Sequence, residues 1–241
     1  IDVLKEGASV LYGAGPLAGV VDFRIKKPVK KSLELGSAFG EHAFFEQSFS
    51  LSLPEDDFAA RLSFDHAVSK AAQPNTDFEN STATFYLNKD LQDNSLDTFV
   101  GYQEKDFGAS NFYSNLFPEE EEHTRTFFMK LRVDTRAGSL PATHSVFWRM
   151  HRDKFILQRN NPQSVNYHTT HVYGLNSQFR QPTQYADIMY AGEVSADEIR
   201  STNLGSHARM HEGASVGIIP TLSDRFGMEL RARSDYFQGW R

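Results

Sequence analysis

From Lys31 onward, apolar residues recur at every second position through most of the 241-residue chain. Around residues 45–53, Phe45, Phe49, Leu51 and Leu53 alternate with Glu46, Ser48, Ser50 and Ser52. Around 58–68, Phe58, Ala60, Leu62 and Phe64 alternate with Arg61, Ser63 and Asp65. Around 124–134, Phe127, Met129, Leu131 and Val133 oppose Thr126, Lys130 and Arg132. Successive strand side chains point to opposite faces, so this rhythm specifies strands with one apolar and one wet face. The remaining segments of this kind fall near 33–39, 80–91, 96–105, 145–155, 171–180, 185–199, 211–219 and 226–236.

Such alternation fits a two-layer sandwich or a large barrel equally well. Two features favour the barrel. Charged residues (Arg61, Asp65, Lys130, Arg132, Arg231 and Arg233) sit at strand centres, where a barrel would present them to its lumen. Connections also alternate in length. Turns at 53–57, 89–95, 134–143, 181–184 and 221–225 read as mostly short, and loops at 69–79, 107–123, 157–170 and 200–209 as longer. Short turns at one end and long loops at the other mark outer-membrane barrels. No run of apolar residues is long enough for a transmembrane helix, which leaves barrel strands of about ten residues unaffected. About eleven strands are legible, and an open edge cannot sit in lipid. The reading is therefore the N-terminal half of an outer-membrane β-barrel over residues 31–241, with further strands elsewhere in the protein. Ile1 follows no Met, charged n-region or apolar core, so the chain reads as starting inside a longer protein.

The first thirty residues have another character. Residues 1–4 and 20–25 read as short strands, 7–12 as a brief helix or turn, and Gly13, Gly15 and Gly19 permit tight turns. Val3, Leu4, Ala8, Ser9, Leu11, Tyr12, Gly13, Gly15, Gly19 and Val20 occur in the order found at the end of the plug domain of TonB-dependent outer-membrane receptors. The segment resembles that family; it departs from the pattern at Asp2, Lys5, Glu6, Gly7, Ala18 and Asp22. The resemblance implies that residues 1–30 are the C-terminal part of a small α/β plug, followed by a barrel of about twenty-two strands in the full protein. Lys5 stands where the family has Arg facing acidic groups of the barrel wall; lysine keeps the charge without the bidentate fork. Lys5, Arg61, Lys130 and Arg132 are the expected plug–barrel contacts. Residues 106–114, with Thr124–Thr126, resemble a loop of the cobalamin-receptor-like branch. There Phe107, Asn111, Phe112 and Tyr113 would offer a stacking surface to a ligand, or pack the loop onto the rim.

The resemblance implies active uptake of a scarce large solute such as a ferric siderophore, cobalamin or haem. It also implies the TonB energy-transducing complex and outer-membrane lipid as partners, and the outer membrane of a Gram-negative bacterium as location. A soluble or surface-attached β-sandwich binding module is the alternative. The net charge of −6 and the lack of a basic stripe argue against nucleic acid. Absence of cysteine removes disulfide and thiolate chemistry. No nucleophile-elbow, phosphate-loop or His-Glu-x-x-His pattern occurs, so the chain does not read as an enzyme, and no cofactor is expected. The nine histidines suggest no metal constellation; His207 and His211 would lie about 13 Å apart on one strand. The acidic run 119–122 reads as a solvated, self-repelling loop more than as a cation site.

Overall fold

A computed structural model describes residues 2–5, 19–23, 25–112, 115–135, 140–159, 161, 164–221 and 228–239, with residues 2–5 and 19–22 as backbone only. Strands β1 (Asp2–Lys5) and β2 (Gly19–Asp22) form an antiparallel pair in which Val3 faces Val21 and Leu4 faces Val20. The helix or turn expected at 7–12 lies outside the described residues.

Eleven further strands form a second sheet: β3 (Ser32–Phe39), β4 (Phe45–Pro54), β5 (Phe58–Ser69), β6 (Phe78–Leu91), β7 (Asn94–Gly108), β8 (Glu121–Thr135), β9 (Ala142–Ile156), β10 (Val165–Pro182), β11 (Ala186–Ser201), β12 (Gly205–Pro220) and β13 (Leu230–Gln238). Their spatial order is their chain order, and every neighbouring pair is antiparallel. Each alternating segment of the sequence thus becomes one strand of a continuous meander. The sandwich alternative is overturned, because all eleven strands belong to one sheet rather than two facing layers.

Register keeps the two faces separate across the whole sheet. One row of partners runs Leu53, Ala60, Leu87, Thr98, Leu131, Val146, Leu175 and Val194. That row starts at the end of β4 and reaches the middle of β11, so the strands are progressively staggered. Stagger of this kind tilts and coils a sheet toward closure. The apolar face stays uncovered: Leu62 is 46% exposed, and Phe64, Phe85, Val146, Leu175 and Val216 are exposed as well. The polar face is crowded, with the Arg233 side chain only 6% exposed. Side chains converge on the concave side of a curved sheet and splay on its convex side, which makes the polar face the inner one. Among the described residues the buried apolar set is only Ala59, Tyr86, Ala109 and Ile156, so there is no dry centre between layers.

Two connections differ from expectation. The long loop expected at 200–209 is a tight turn, with β11 ending at Ser201 and β12 starting at Gly205. The Ser201 hydroxyl accepts hydrogen bonds from the Asn203 and Leu204 backbone amides (3.2 and 2.9 Å), and Gly205 takes a φ of 77°. A hydroxyl-capped turn ending on a left-handed glycine closes a hairpin at little cost. The short turn expected at 221–225 is longer, since β12 ends at Pro220 and β13 begins at Leu230; residues 222–227 lie outside the described ones.

Candidate functional site

The polar wall carries the expected Arg61, Lys130 and Arg132. Arg61 pairs across to Tyr86, Tyr86 to Phe99, and Phe99 to Lys130, so Arg61 and Lys130 stand in one row of one face. Arg132 is one step along β8, opposite Asp97. Their surroundings differ. Arg132 holds Asp134 through several hydrogen bonds (2.9–3.0 Å), and Thr143 also donates to that carboxylate (2.5 Å). Arg61 donates to the Ser52 hydroxyl at 3.2 Å. Lys130 is exposed, between Phe99 and Phe147. Asp97 accepts from Tyr86 (2.6 Å) and Asn88 (3.2 Å). The side chain of Lys5 lies outside the described residues.

Farther along the same wall, neighbouring strands bring together a cluster that the sequence did not suggest. Glu193 of β11, His211 of β12 and Asp235 of β13 place one ligand atom each within 4.8 Å of one another. His211 Nε2 lies 2.8 Å from Asp235 Oδ1, and Nδ1 lies 3.3 Å from Glu193 Oε1. Arg233 Nη2 is 2.7 Å from each of those two carboxylate oxygens. A guanidinium therefore already bridges the acids, and a divalent ion would have to displace it. Gly213, opposite Asp235, makes room for this, because a Cβ there would meet Arg233 Nη2 at 2.3 Å. Arg209 and Asp197 pair next to the cluster, and the Phe237 ring stacks on His211 (4.4 Å). The arrangement is a structural network of ion pairs and hydrogen bonds across three strands.

At the other end of the strands, three connections interlock. Asn75, at a φ of 55°, donates from Nδ2 to the carbonyls of Pro118 (2.9 Å) and Glu120 (2.6 Å). The Ser110 amide donates to the Asn75 carbonyl, the Gly108 amide to Asp77, the Ala109 amide to Glu120 and the Arg159 amide to Glu119. The Arg159 guanidinium grips both oxygens of Asp77 (2.9 and 2.8 Å) and reaches Glu121 at 3.2 Å. Hydrogen bonds from Arg159 hold the Asp77 carboxyl below the usual carboxylate range, against the opposing effect of partial burial. The same bonds to Asp77 raise the Arg159 pKa. Gly108 is required here: a Cβ would lie 2.5 Å from the Asn75 carbonyl oxygen.

This shelf changes the reading of the acidic run. Glu120 is fully buried, and Glu121 lies in β8, paired to Arg159 and to His123 at 3.5 Å. The run is therefore built into the shelf and is not a solvated loop; backbone bonds to 119 and 120 draw it in. Of the four expected ligand contacts, Phe107 sits within β7 on the polar face, opposite Phe78 and Glu122. Asn111 (φ 58°) and Phe112 (75% exposed) lie in the connection beyond it. Tyr113 lies outside the described residues.

No protein-family model and no curated protein matches the sequence. Solved structures do. The siderophore receptor PirA from Pseudomonas aeruginosa superposes with a TM-score of 0.78 at 14% identity, over 99% of this chain and 44% of that one. The chain has the fold of part of a TonB-dependent receptor barrel. The ferric-catecholate import receptor Fiu from E. coli K12 gives a TM-score of 0.78 at 10% identity, over 98% of this chain and 49% of that one. The FrpB iron transporter from Neisseria meningitidis gives 0.71 at 11% identity, over 87% and 42%. The chain thus spans under half the length of these structures.

Proposed function

We propose that this chain is part of a TonB-dependent receptor of a Gram-negative outer membrane. In this reading the whole protein actively imports a scarce large solute, a ferric siderophore, cobalamin, haem or similar. Residues 1–30 belong to its plug and residues 31–241 to its barrel, and the strands that flank β3 and β13 come from the rest of the receptor, since lipid tolerates no open sheet edge. Energy reaches the plug through the TonB complex. Lys5 of the plug and Arg61, Lys130 and Arg132 of the barrel wall make plug–barrel contacts, and Phe107, Asn111, Phe112 and Tyr113 contact the solute at the extracellular rim. The reading makes the protein a transporter and not an enzyme.

One observation carries the proposal: a single staggered antiparallel sheet leaves its large apolar side chains uncovered on one face and gathers charged residues on the other. A water-soluble module would bury the first face; lipid accepts it without a covering layer. The test is uptake by a deletion strain complemented with the full-length gene, measured for ferric siderophores, cobalamin and haem with and without TonB. Saturable uptake that disappears without TonB is expected. Uptake indifferent to TonB, or a protein that stays monomeric in water without detergent, would overturn it.

A further inference from the structure

Five arginines of the lumen wall find carboxylates within it. Arg132 holds Asp134, Arg180 holds Asp187, Arg209 holds Asp197, Arg231 holds Glu229, and Arg233 bridges Glu193 and Asp235. Lys130 of β8 and Arg149 of β9 differ: both are exposed, and among the described residues neither makes an ion pair, which is also true of the wall's half-buried Arg61 and Lys105, but only Lys130 and Arg149 stand side by side. Register explains why. Lys130 stands opposite Phe99 and Phe147, and Arg149 opposite Phe128 and Val172, so neither meets an acid across a strand. Phe147 and Lys130 are partners and Arg149 is two residues from Phe147, which makes the two cations diagonal neighbours, about 7–8 Å apart at their backbones. The nearest acid in register, Asp97, is diagonal to Lys130 and already accepts from Tyr86 and Asn88.

The ground between the cations is aromatic. Phe99 and Phe128 approach with ring centroids 6.0 Å apart. Phe147 lies across Gly174, where a Cβ would meet its ring at 2.2 Å, and Phe99 lies against Gly101. Gly174 opposite Phe147 lets that ring lie along the wall. Two cationic heads therefore rise from a flat apolar patch near the middle of the strands, and such a surround strengthens any ion pair made over it.

We propose that Lys130 and Arg149, with Phe99, Phe128 and Phe147, form a seat for carboxylate side chains of the plug. The inference rests on the receptor reading and names the chemistry of the partner on that wall. In a resting receptor protein fills the lumen and covers this patch. Two adjacent like charges covered without a counter-ion are strongly destabilising, so whatever lies over them brings negative charge. Arg132 needs no such partner, having found Asp134 on the wall.

Zero-length carbodiimide cross-linking of the full-length receptor tests this, with proteolysis and mass spectrometry to locate the new amides. The pairs Lys27–Asp90 (3.1 Å) and Lys89–Asp57 (3.4 Å) serve as internal standards. The expected result is an amide between Lys130 Nζ and an Asp or Glu of the plug, lost in Lys130→Gln, with a second plug amide gained in Arg149→Lys. Lys130 joined only to acids of the barrel strands, or left unjoined while the standards form, would overturn the seat; occupation by a small anion gives the unjoined result. Heat-modifiable migration of the same sample separates the failures. A protein that migrates as a folded barrel with Lys130 unjoined loses only the seat, whereas one without that behaviour loses the receptor reading and the seat together.

Discussion

Replacing Asn75 by glycine should loosen the rim shelf without unfolding the sheet. Asn75 already has a φ of 55°, which glycine adopts freely, so the substitution isolates the side chain. What is lost is the pair of bonds from Nδ2 to the Pro118 and Glu120 carbonyls, at 2.9 and 2.6 Å. At about 0.5–1.5 kcal/mol each, the loss is about 1–3 kcal/mol of local stability. Every 1.4 kcal/mol corresponds to about tenfold in the opening equilibrium, so exchange of protected amides nearby should quicken about 5- to 150-fold. The amides to watch are Ala109, which donates to Glu120, and Ser110, which donates to Asn75 itself. Hydrogen–deuterium exchange of the full-length receptor in detergent micelles reads both, with the β11–β12 hairpin as an internal reference. Unchanged protection at Ala109 and Ser110 would refute the claim that Asn75 ties these connections together. Equal loosening of β11–β12 would refute the claim that the effect is local.

Three other outcomes follow from the same geometry. The Asp77 pKa is lowered in the folded shelf, so its contribution is fully present above its unfolded value of about 3.9 and is lost as pH falls through the lower folded one. Exchange protection around Asp77 and Arg159 should hold from neutrality to about pH 4 and fall below it, and Arg159→Gln should remove that acid dependence. Gly174→Val would push a side chain into the Phe147 ring, which a Cβ alone would meet at 2.2 Å, and should cost about 1–3 kcal/mol in denaturant unfolding. Leu62→Lys, on the exposed apolar face, should cost about 2–4 kcal/mol in lipid, while Ser63→Lys, its neighbour on the polar face, should cost much less.

Much of the sheet was legible in the sequence because apolar and polar positions alternate along each strand, and a slip of one residue would reverse every side chain. Thus Phe49, Phe64 and Ala83 could be placed on one face before their pairing was known, and the register confirms it. Connections were harder to read. Polar residues at 202–204 look the same in a long loop and in a tight turn; the difference lies in the Ser201 hydroxyl and in the backbone angle of Gly205. The acidic run misled for a related reason, since its burial depends on Asn75 and Arg159, far away in the chain. The cluster of Glu193, His211 and Asp235 was invisible because each residue comes from a different strand. A sequence signal was present in Gly213, a glycine inside a strand, which often marks a place where a large side chain needs room. Lys130 was picked out as a mid-strand charge, but its distinction from Arg132 depends on which neighbours carry acids.

Paired single-cysteine labels offer the most direct measurement, and these 241 residues contribute no cysteine of their own. Spin labels at Leu62→Cys and Ser63→Cys, and then along β5 to β8, would be read in the full-length receptor in lipid vesicles for collision with oxygen and with a water-soluble nickel chelate. The account predicts that labels at 62, 64, 85, 100 and 129 meet oxygen, and that labels at 61, 63 and 84 do not, with oxygen access switching at every residue. Labels at 62 and 64 shielded from both reagents, or a two-residue rhythm of the opposite phase, would contradict it.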